Sequence, residues 1–80
     1  MNKIEKQWTD TASKILVGRK IVGVRYMTKA EAKGMDWFSR PIVLILDDRT
    51  LIYPSHDDEG NDGGALFTNN DNDPVIPVIR

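Results

Sequence analysis

The stretch RPIVLILDDRTLIYPS, residues 40–55, holds two apolar runs separated by a short polar segment. Residues 42–46 are all aliphatic, Asp47-Asp48-Arg49 interrupt them, and residues 50–53 resume the apolar pattern. Two such runs joined by a polar turn predict a β-hairpin. Pro54 lacks the amide hydrogen that a central strand donates, so we expect the second strand to end or bulge there.

Further strands flank the hairpin on both sides. KIVGVRYMT, residues 20–28, alternates apolar residues with others, which predicts a strand that begins near Lys20 and bends at Gly23. After the hairpin, ALFT (65–68) and VIPVI (75–79) predict two short strands joined by a polar turn. Pro77 indicates that the last strand lies at a sheet edge or contains a bulge.

Two helices are predicted before and within this series of strands. Residues 3–17 carry an apolar stripe at helical spacing, and Gly18 is placed to end that helix. Thr28 and Glu31 have the spacing of a capping box, and Gly34 follows them, which predicts a short helix between the first two strands. The apolar stripe of the first helix consists of Ile4, Trp8, Ala12, Ile15 and Leu16.

One amphipathic helix followed by five short strands is typical of a small, strongly bent antiparallel barrel. We predict a single mostly β domain over residues 1–80, in which residues 19–79 form the barrel and the helix caps one open end. Such a barrel leaves sheet edges, and an uncharged final edge strand is prone to pair with another chain. We expect this pairing to build a homo-oligomeric ring through Leu66, Phe67, Val75, Ile76, Val78 and Ile79.

Composition restricts how so short a chain is stabilised. The 80 residues include no cysteine, which excludes disulfides, thiol chemistry and cysteine-based zinc sites, so partner subunits are the remaining common support for a small core. No apolar run approaches the roughly 20 residues of a membrane helix, and the N-terminus lacks the apolar block of a signal peptide. We expect a soluble cytoplasmic protein that does not bind membranes.

Charge is distributed unevenly along the chain, although the formal net charge is −1. Residues 1–40 hold nine Lys or Arg against four Asp or Glu, whereas residues 41–80 hold two against eight. This asymmetry suits head-to-tail contact between copies or an anionic ligand on one face. Basic helix surfaces and acidic turns also produce such a distribution by chance.

Two stretches, LVGRKIVGVRYMT (16–28) and SRPIVLILDDRTLIYPSHDDEGNDGGALFT (39–68), resemble a family of small uncharacterised proteins from marine phages and bacteria. DDEGNDGGALF is the most specific part. The resemblance carries no assigned biochemical role, and it implies action in the cytoplasm of an infected host if the protein is phage-encoded. The order of one helix and five strands is also similar to the Sm-like proteins, which bind RNA and form rings by pairing strands four and five of neighbouring subunits.

The Sm-like resemblance implies two base-reading loops, and the chain departs from the family in both. Between strands two and three the family has an aspartate and a nearby asparagine, where this chain has Asp47, Asp48 and Arg49. Between strands four and five the family has an Arg-Gly pair, which residues 69–73 lack. Arg49 is a candidate phosphate contact, but base specificity does not carry over.

The acidic loop SHDDEGNDGG, residues 55–64, suggests calcium, catalysis or a structural turn. If an EF-hand loop begins at Asp57, the loop lacks the glycine required at position six. If it begins at Asp58, it lacks the oxygen ligand at position three. Neither starting point places a glutamate at position twelve. His56 has carboxylate neighbours, but no oxyanion donors are evident. We expect no catalytic residue, metal or cofactor, and predict a structural loop in which Asx side chains bond local amides and Gly60, Gly63 and Gly64 adopt positive φ.

Basic and aromatic residues give the leading functional prediction. MDWFSRP, residues 35–41, places Trp37 and Phe38 beside Arg40, which suits stacking on bases; alternatively both rings pin the inserted helix to the barrel. Lys14, Lys29 and Lys33 are additional basic candidates, although a pI near 5.7 argues against strong non-specific binding. The predicted nucleic-acid-binding residues are Arg19, Lys20, Arg25, Trp37, Phe38, Arg40 and Arg49.

Two functions from different classes therefore remain open. The leading prediction is a homo-oligomeric ring that binds single-stranded RNA or DNA and takes part in nucleic-acid processing. The alternative is a structural or adaptor protein that binds another protein through the ring face or the acidic rim, without nucleic-acid binding or catalysis.

Overall fold

The computed structural model describes residues 2–80, which form two helices and two antiparallel sheets. The helices are α1 (Lys3–Leu16) and α2 (Lys29–Gly34), and the strands are β1 (Ile21–Tyr26), β2 (Ile42–Leu46), β3 (Leu51–Ile52), β4 (Leu66–Phe67) and β5 (Val75–Ile76). One sheet has the order β1-β2-β3, and β4 pairs with β5 in the other. The predicted order of elements, including the helix inserted between the first two strands, is confirmed.

The two sheets do not close into the five-stranded barrel that the sequence predicts, as far as residues 2–80 show. β3 is only two residues long, and Pro54 follows shortly after it, so β3 offers few backbone groups with which β4 could pair. Two isolated bridges form outside the named strands. One pairs Arg40 with Ile79, and the other pairs Ser55 with Gly63. The architecture is two helices with two small antiparallel sheets.

The core lies between the three-stranded sheet and α2. Its buried cluster consists of Met27, Ala32, Trp37 and Val43. The capping box of α2 forms as predicted, because the Thr28 hydroxyl accepts from the Glu31 N–H and the Glu31 carboxylate accepts from the Thr28 N–H. α2 is thereby fixed in position over one end of β1 and β2.

α1 forms as predicted but does not cap a barrel. Gly18, at φ +80°, ends the helix in the left-handed conformation, and no side chain of α1 is buried. The linker after it is tied to the β2–β3 turn, since the Arg19 guanidinium pairs with Asp47 and Asp48 at 3.5 and 3.6 Å. This attachment fixes the linker at the end of the sheet where the β2–β3 turn lies. Among residues 2–80, no helix is long and apolar enough to cross a membrane.

Candidate nucleic-acid interface

A groove of about 370 Å³ runs between α2 and the segment that leads into β2. Lys29 and Lys33 project from the same face of α2, because residues four apart are neighbours on a helix. We call this feature the basic groove. It is lined by Lys29, Ala32, Lys33, Asp36, Trp37, Phe38, Arg40 and Arg80.

The Trp37 indole is buried beneath the basic groove and anchors the segment that lines it. Its side chain is 6% exposed, its Nε1–H donates to the Gly60 carbonyl at 2.6 Å, and its ring meets Tyr53 edge-on with centroids 5.9 Å apart. The predicted aromatic pair is therefore divided. Trp37 attaches the segment to the body of the protein, whereas Phe38 is 84% exposed and is free to stack.

Arg40 enters the basic groove from the segment before β2 with little of its hydrogen-bonding capacity used. Its Nη1 lies 3.5 Å from the Met27 carbonyl, at the limit of a hydrogen bond, and its buried Nε has no partner among residues 2–80. A buried donor without a partner is unfavourable, so the structure holds the Arg40 side chain in this position at an energetic cost. The Arg40 backbone is held firmly, since its N–H and carbonyl both pair with Ile79 at 2.6 and 2.8 Å.

The acidic loop, residues 55–64, holds the groove segment in place. The Asp62 carboxylate accepts from the Phe38 N–H at 3.1 Å, the Ser39 N–H at 2.9 Å and the Gly63 N–H at 2.8 Å. Hydrogen bonds from Ser39, Gly63 and Phe38 together lower the pKa of Asp62 against the opposing effect of desolvation. Asp62 therefore stays ionised and clamps the backbone from which the exposed side chains of the groove extend.

The rest of the loop satisfies its own backbone, as predicted. The Asp57 carboxylate accepts from the side-chain amide of Asn61 at 2.7 Å and from the Glu59 and Asn61 N–H groups, and these bonds lower its pKa, the Asn61 side chain most of all. Of the three loop glycines only Gly60 has positive φ, so the prediction for Gly63 and Gly64 is wrong. Those two glycines are required by close backbone approach instead.

Neither the calcium nor the catalytic reading of the loop finds a matching geometry. Within residues 2–80, no three histidine or acidic side chains converge as metal ligands would. His56 Nε2 lies 3.5 Å from Asp57, but the Ser55 hydroxyl donates to the Asp62 carbonyl and so is not paired with the imidazole. The Asp57 and Asp62 carboxylates instead accept from backbone N–H groups.

The structure separates the predicted nucleic-acid-binding residues into three groups. Trp37, Phe38 and Arg40 meet at the basic groove. Arg25 instead makes a bidentate ion pair with Glu31, at 2.8 and 3.1 Å. This ion pair is the largest cause of the lowered pKa of Glu31, which is about 2. The remaining three lie at the opposite end of the β1–β2 ladder, near the turn with Asp47 and Asp48, and they are Arg19, Lys20 and Arg49.

Sequence reasoning left one cationic residue of the groove, Arg80, undetected. Lys29 and Lys33 were among the basic candidates, and their spacing on α2 just before Trp37 signals a shared face. Arg80 has no such signal, because the pairing of Ile79 with Arg40 brings it there from the far end of the chain.

The predicted oligomer interface lies on the β4–β5 hairpin and the residues after it. Phe67 pairs with Val75 across the hairpin, and these side chains are 78% and 46% exposed. Leu66, Ile76 and Val78 are half-buried, and the backbone of Ile79 is used by Arg40. Comparison of the chain with protein-family models, with curated proteins and with solved structures gives no match.

Proposed function

We propose that the protein binds single-stranded nucleic acid in the basic groove. The observation that carries the proposal is one groove that combines four cationic side chains with an almost fully exposed phenylalanine. Phosphate binding needs clustered positive charge, and sequence-tolerant binding of single strands uses aromatic rings on which bases stack. The basic groove offers both in one place, although the chain as a whole is slightly acidic.

The cationic, aromatic and acidic residues of the groove have different roles in this proposal. Lys29, Lys33 and Arg80 contact phosphates as mobile charges, and the guanidinium of Arg40 donates to a phosphate through its terminal Nη groups. Phe38 stacks on one base. Asp36 lines the same groove and opposes anions, so affinity is expected to be moderate and to fall with salt.

We further propose that identical chains assemble into a ring in the manner of Sm-like proteins, with β4 and β5 of neighbours pairing at their edges. Support comes from the exposed Phe67 and Val75 pair and from the outer edge that each strand of a two-stranded sheet leaves unpaired. A ring would place the basic grooves of several copies along one bound strand. The expected site of action is the cytoplasm, that of an infected host if the protein is phage-encoded.

Fluorescence anisotropy with labelled oligo-uridine and oligo-thymidine across a salt series tests groove binding. The Lys29→Ala/Lys33→Ala variant should bind more weakly. The slope of its log association constant against log salt concentration should be shallower by about 1.4, for two lost phosphate contacts on a single strand. Phe38→Ala should weaken binding about fivefold or more, because stacking on one base contributes about 1–3 kcal/mol.

The matched control is Lys3→Ala/Lys14→Ala, which removes the same charge from α1, away from the groove. If the control and the groove variant lose affinity equally, binding is diffuse and the assignment of the groove fails. If neither oligonucleotide binds at high micromolar protein, the proposed function is wrong.

The ring is tested separately by light scattering after gel filtration. Phe67→Glu places a charge in the proposed strand interface and should lower the measured mass, whereas Asn69→Glu adds the same charge at the exposed end of the hairpin and should not. An unchanged mass for Phe67→Glu would contradict pairing through β4 and β5.

A protein-binding adaptor is the second candidate, and the same hairpin favours it. Phe67 and Val75 form an exposed apolar pair, and the turn between their strands carries Asp71 and Asp73. An apolar centre beside acidic residues fits a protein partner with a basic rim. Absence of oligonucleotide binding together with an unchanged mass for Phe67→Glu would favour this candidate.

A further inference from the structure

The chain exposes more surface than a folded monomer of its size. Its accessible surface is 6403 Å², whereas a compact 9.1 kDa monomer exposes about 4,900 Å². Its radius of gyration is 14.0 Å against about 12 Å expected for 80 residues. The excess, about 1,500 Å² per chain, is about twice the roughly 800 Å² that each partner buries in a specific interface of standard size.

Much of this surface belongs to the apolar stripe of α1, the residues Ile4, Trp8, Ala12, Ile15 and Leu16. Ile4 is 70% exposed and Trp8 64%, although a stripe at this spacing is typical of a helix that packs against another surface. The opposite side of α1 carries the ion pair of Lys6 with Asp10, at 2.9 Å, and suits water. α1 thus has an apolar side with nothing against it within residues 2–80.

A second uncovered apolar surface lies on the three-stranded sheet. Val24, Leu44 and Ile52 stand in register across the three strands and so share one face, and Val22 joins them by alternation along β1. We call these four residues the open sheet face. α2 packs on the other face of the sheet, against Val43, and does not cover these residues. Val22 and Val24 are 63% and 58% exposed, and Leu44 and Ile52 are half-buried.

The linker opposes packing of α1 on its own sheet. Arg19 is paired with both Asp47 and Asp48, its N–H donates to the Leu16 carbonyl at 3.1 Å, and the Asp47 N–H donates to the Lys20 carbonyl at 2.8 Å. To fold back over β1, the helix would have to turn about Val17 and Gly18, which would break the hydrogen bond between Arg19 and Leu16 and change the conformation of Gly18. A second copy needs no such change, because its sheet can approach α1 where α1 already lies.

We propose that the apolar stripe of α1 in one chain packs on the open sheet face of a second copy. A second copy supplies both missing surfaces at once, a sheet for the helix and a helix for the sheet. If each chain covers its excess surface, a pair of chains buries about 3,000 Å² in total, within the range of permanent homodimers. α1 would also bring its three lysines towards a partner whose residues 41–80 hold eight acidic and two basic side chains. This contact is independent of nucleic-acid binding and of the β4–β5 edges.

Site-directed cross-linking tests which chain the helix covers, since the protein has no cysteine of its own. Ala12→Cys marks the stripe and Val24→Cys marks the open sheet face. A mixture of the two single variants, unfolded together, refolded and treated with a short bis-maleimide, should give a cross-linked pair at twice the chain mass. Asp10→Cys, on the opposite side of α1, replaces Ala12→Cys in the control mixture and should give much less product.

Each other outcome overturns the proposal. A cross-link formed within one chain of the Ala12→Cys/Val24→Cys double variant, with none in the mixture, would show that α1 covers its own sheet. Equal products from the Ala12→Cys and Asp10→Cys mixtures would show random collision. Failure of the mixture of Ala12→Cys and Val24→Cys to cross-link, in samples whose circular dichroism matches the parent, would show that no second copy lies on the open sheet face.

Association constants give a second, independent measurement. Sedimentation equilibrium of the full chain should show self-association, and Trp8→Glu should weaken it about 30-fold or more, as loss of an aromatic anchor residue does. Gln7→Glu adds the same charge on the polar side of α1 and should leave the constant within about threefold. A solitary 9.1 kDa species at all concentrations of the unaltered chain would overturn the proposal.

Discussion

Gly63→Ala is the change for which the structure predicts the clearest effect. Gly63 is buried where the acidic loop crosses the segment before β2, and a methyl group there would lie 2.6 Å from Pro41 Cδ and 2.8 Å from the Ser39 carbonyl oxygen. Carbon atoms in contact are ordinarily about 3.5–4.0 Å apart, so a displacement of about 1 Å is required. Neither neighbour can easily move, since Pro41 is fully buried and Ser39 is bound to Asp62.

Overpacking of this kind costs about 1–3 kcal/mol, and the fixed neighbours place Gly63→Ala near the upper value, about 3 kcal/mol. For a domain of this size that corresponds to a fall in the melting temperature of about 12–24 °C. Gly34→Ala is the matched control, because a methyl group at Gly34 meets no atom within 4 Å, and it should be neutral or stabilising by about 0.5 kcal/mol. Thermal and urea unfolding followed by circular dichroism measure both variants.

A melting temperature of Gly63→Ala within about 3 °C of the parent would refute the reasoning. It would mean that the loop and the groove segment are not packed against each other as the structure shows. The same variant should also weaken oligonucleotide binding, because any shift of Ser39 and Pro41 displaces Arg40, which lies between them.

Three further predictions concern the loop and α2. The pKa of Glu31 is lowered to about 2 from an ordinary 4.5, chiefly by its ion pair with Arg25. The stabilisation from this shift is therefore fully present above about pH 4.5 and is lost as the pH falls towards 2. Glu31→Gln should flatten the plot of melting temperature against pH between these values. Trp37→Phe removes the donor to the Gly60 carbonyl and should cost about 1–2 kcal/mol in urea unfolding. Millimolar calcium should leave the melting temperature within about 1 °C, because the Asp57 carboxylate is already occupied by loop donors; a rise of many degrees would contradict this.

The sequence was most informative where a local pattern determines backbone conformation. The capping box of Thr28 and Glu31, the end of α1 at Gly18 and the hairpin of β2 and β3 all depend on residues close together in the chain, and the structure confirms each. The bend of β1 is likewise confirmed as a register shift between Ile21 and Gly23. Such features follow from short-range sterics and hydrogen bonding.

Contacts between distant residues were not predictable in the same way. A five-stranded barrel and two separate sheets require the same strands in the same order, and only the pairing partners of β3 and β4 distinguish them. Arg80 joins the basic groove through the pairing of Ile79 with Arg40, about half the chain away. The apolar stripe of α1 showed that the helix packs on something, but periodicity does not identify the surface that it meets.

The acidic loop and the basic groove are two sides of one structural unit. Asp62 accepts the N–H groups of Phe38 and Ser39, and the Gly60 carbonyl accepts the indole N–H of Trp37. Because these bonds fix the backbone that carries Phe38 and Arg40, the proposed binding of nucleic acid would need little further ordering of this segment. A loop sequence that resembles an ion-binding site therefore acts through its hydrogen bonds to the segment that carries the proposed phosphate contacts.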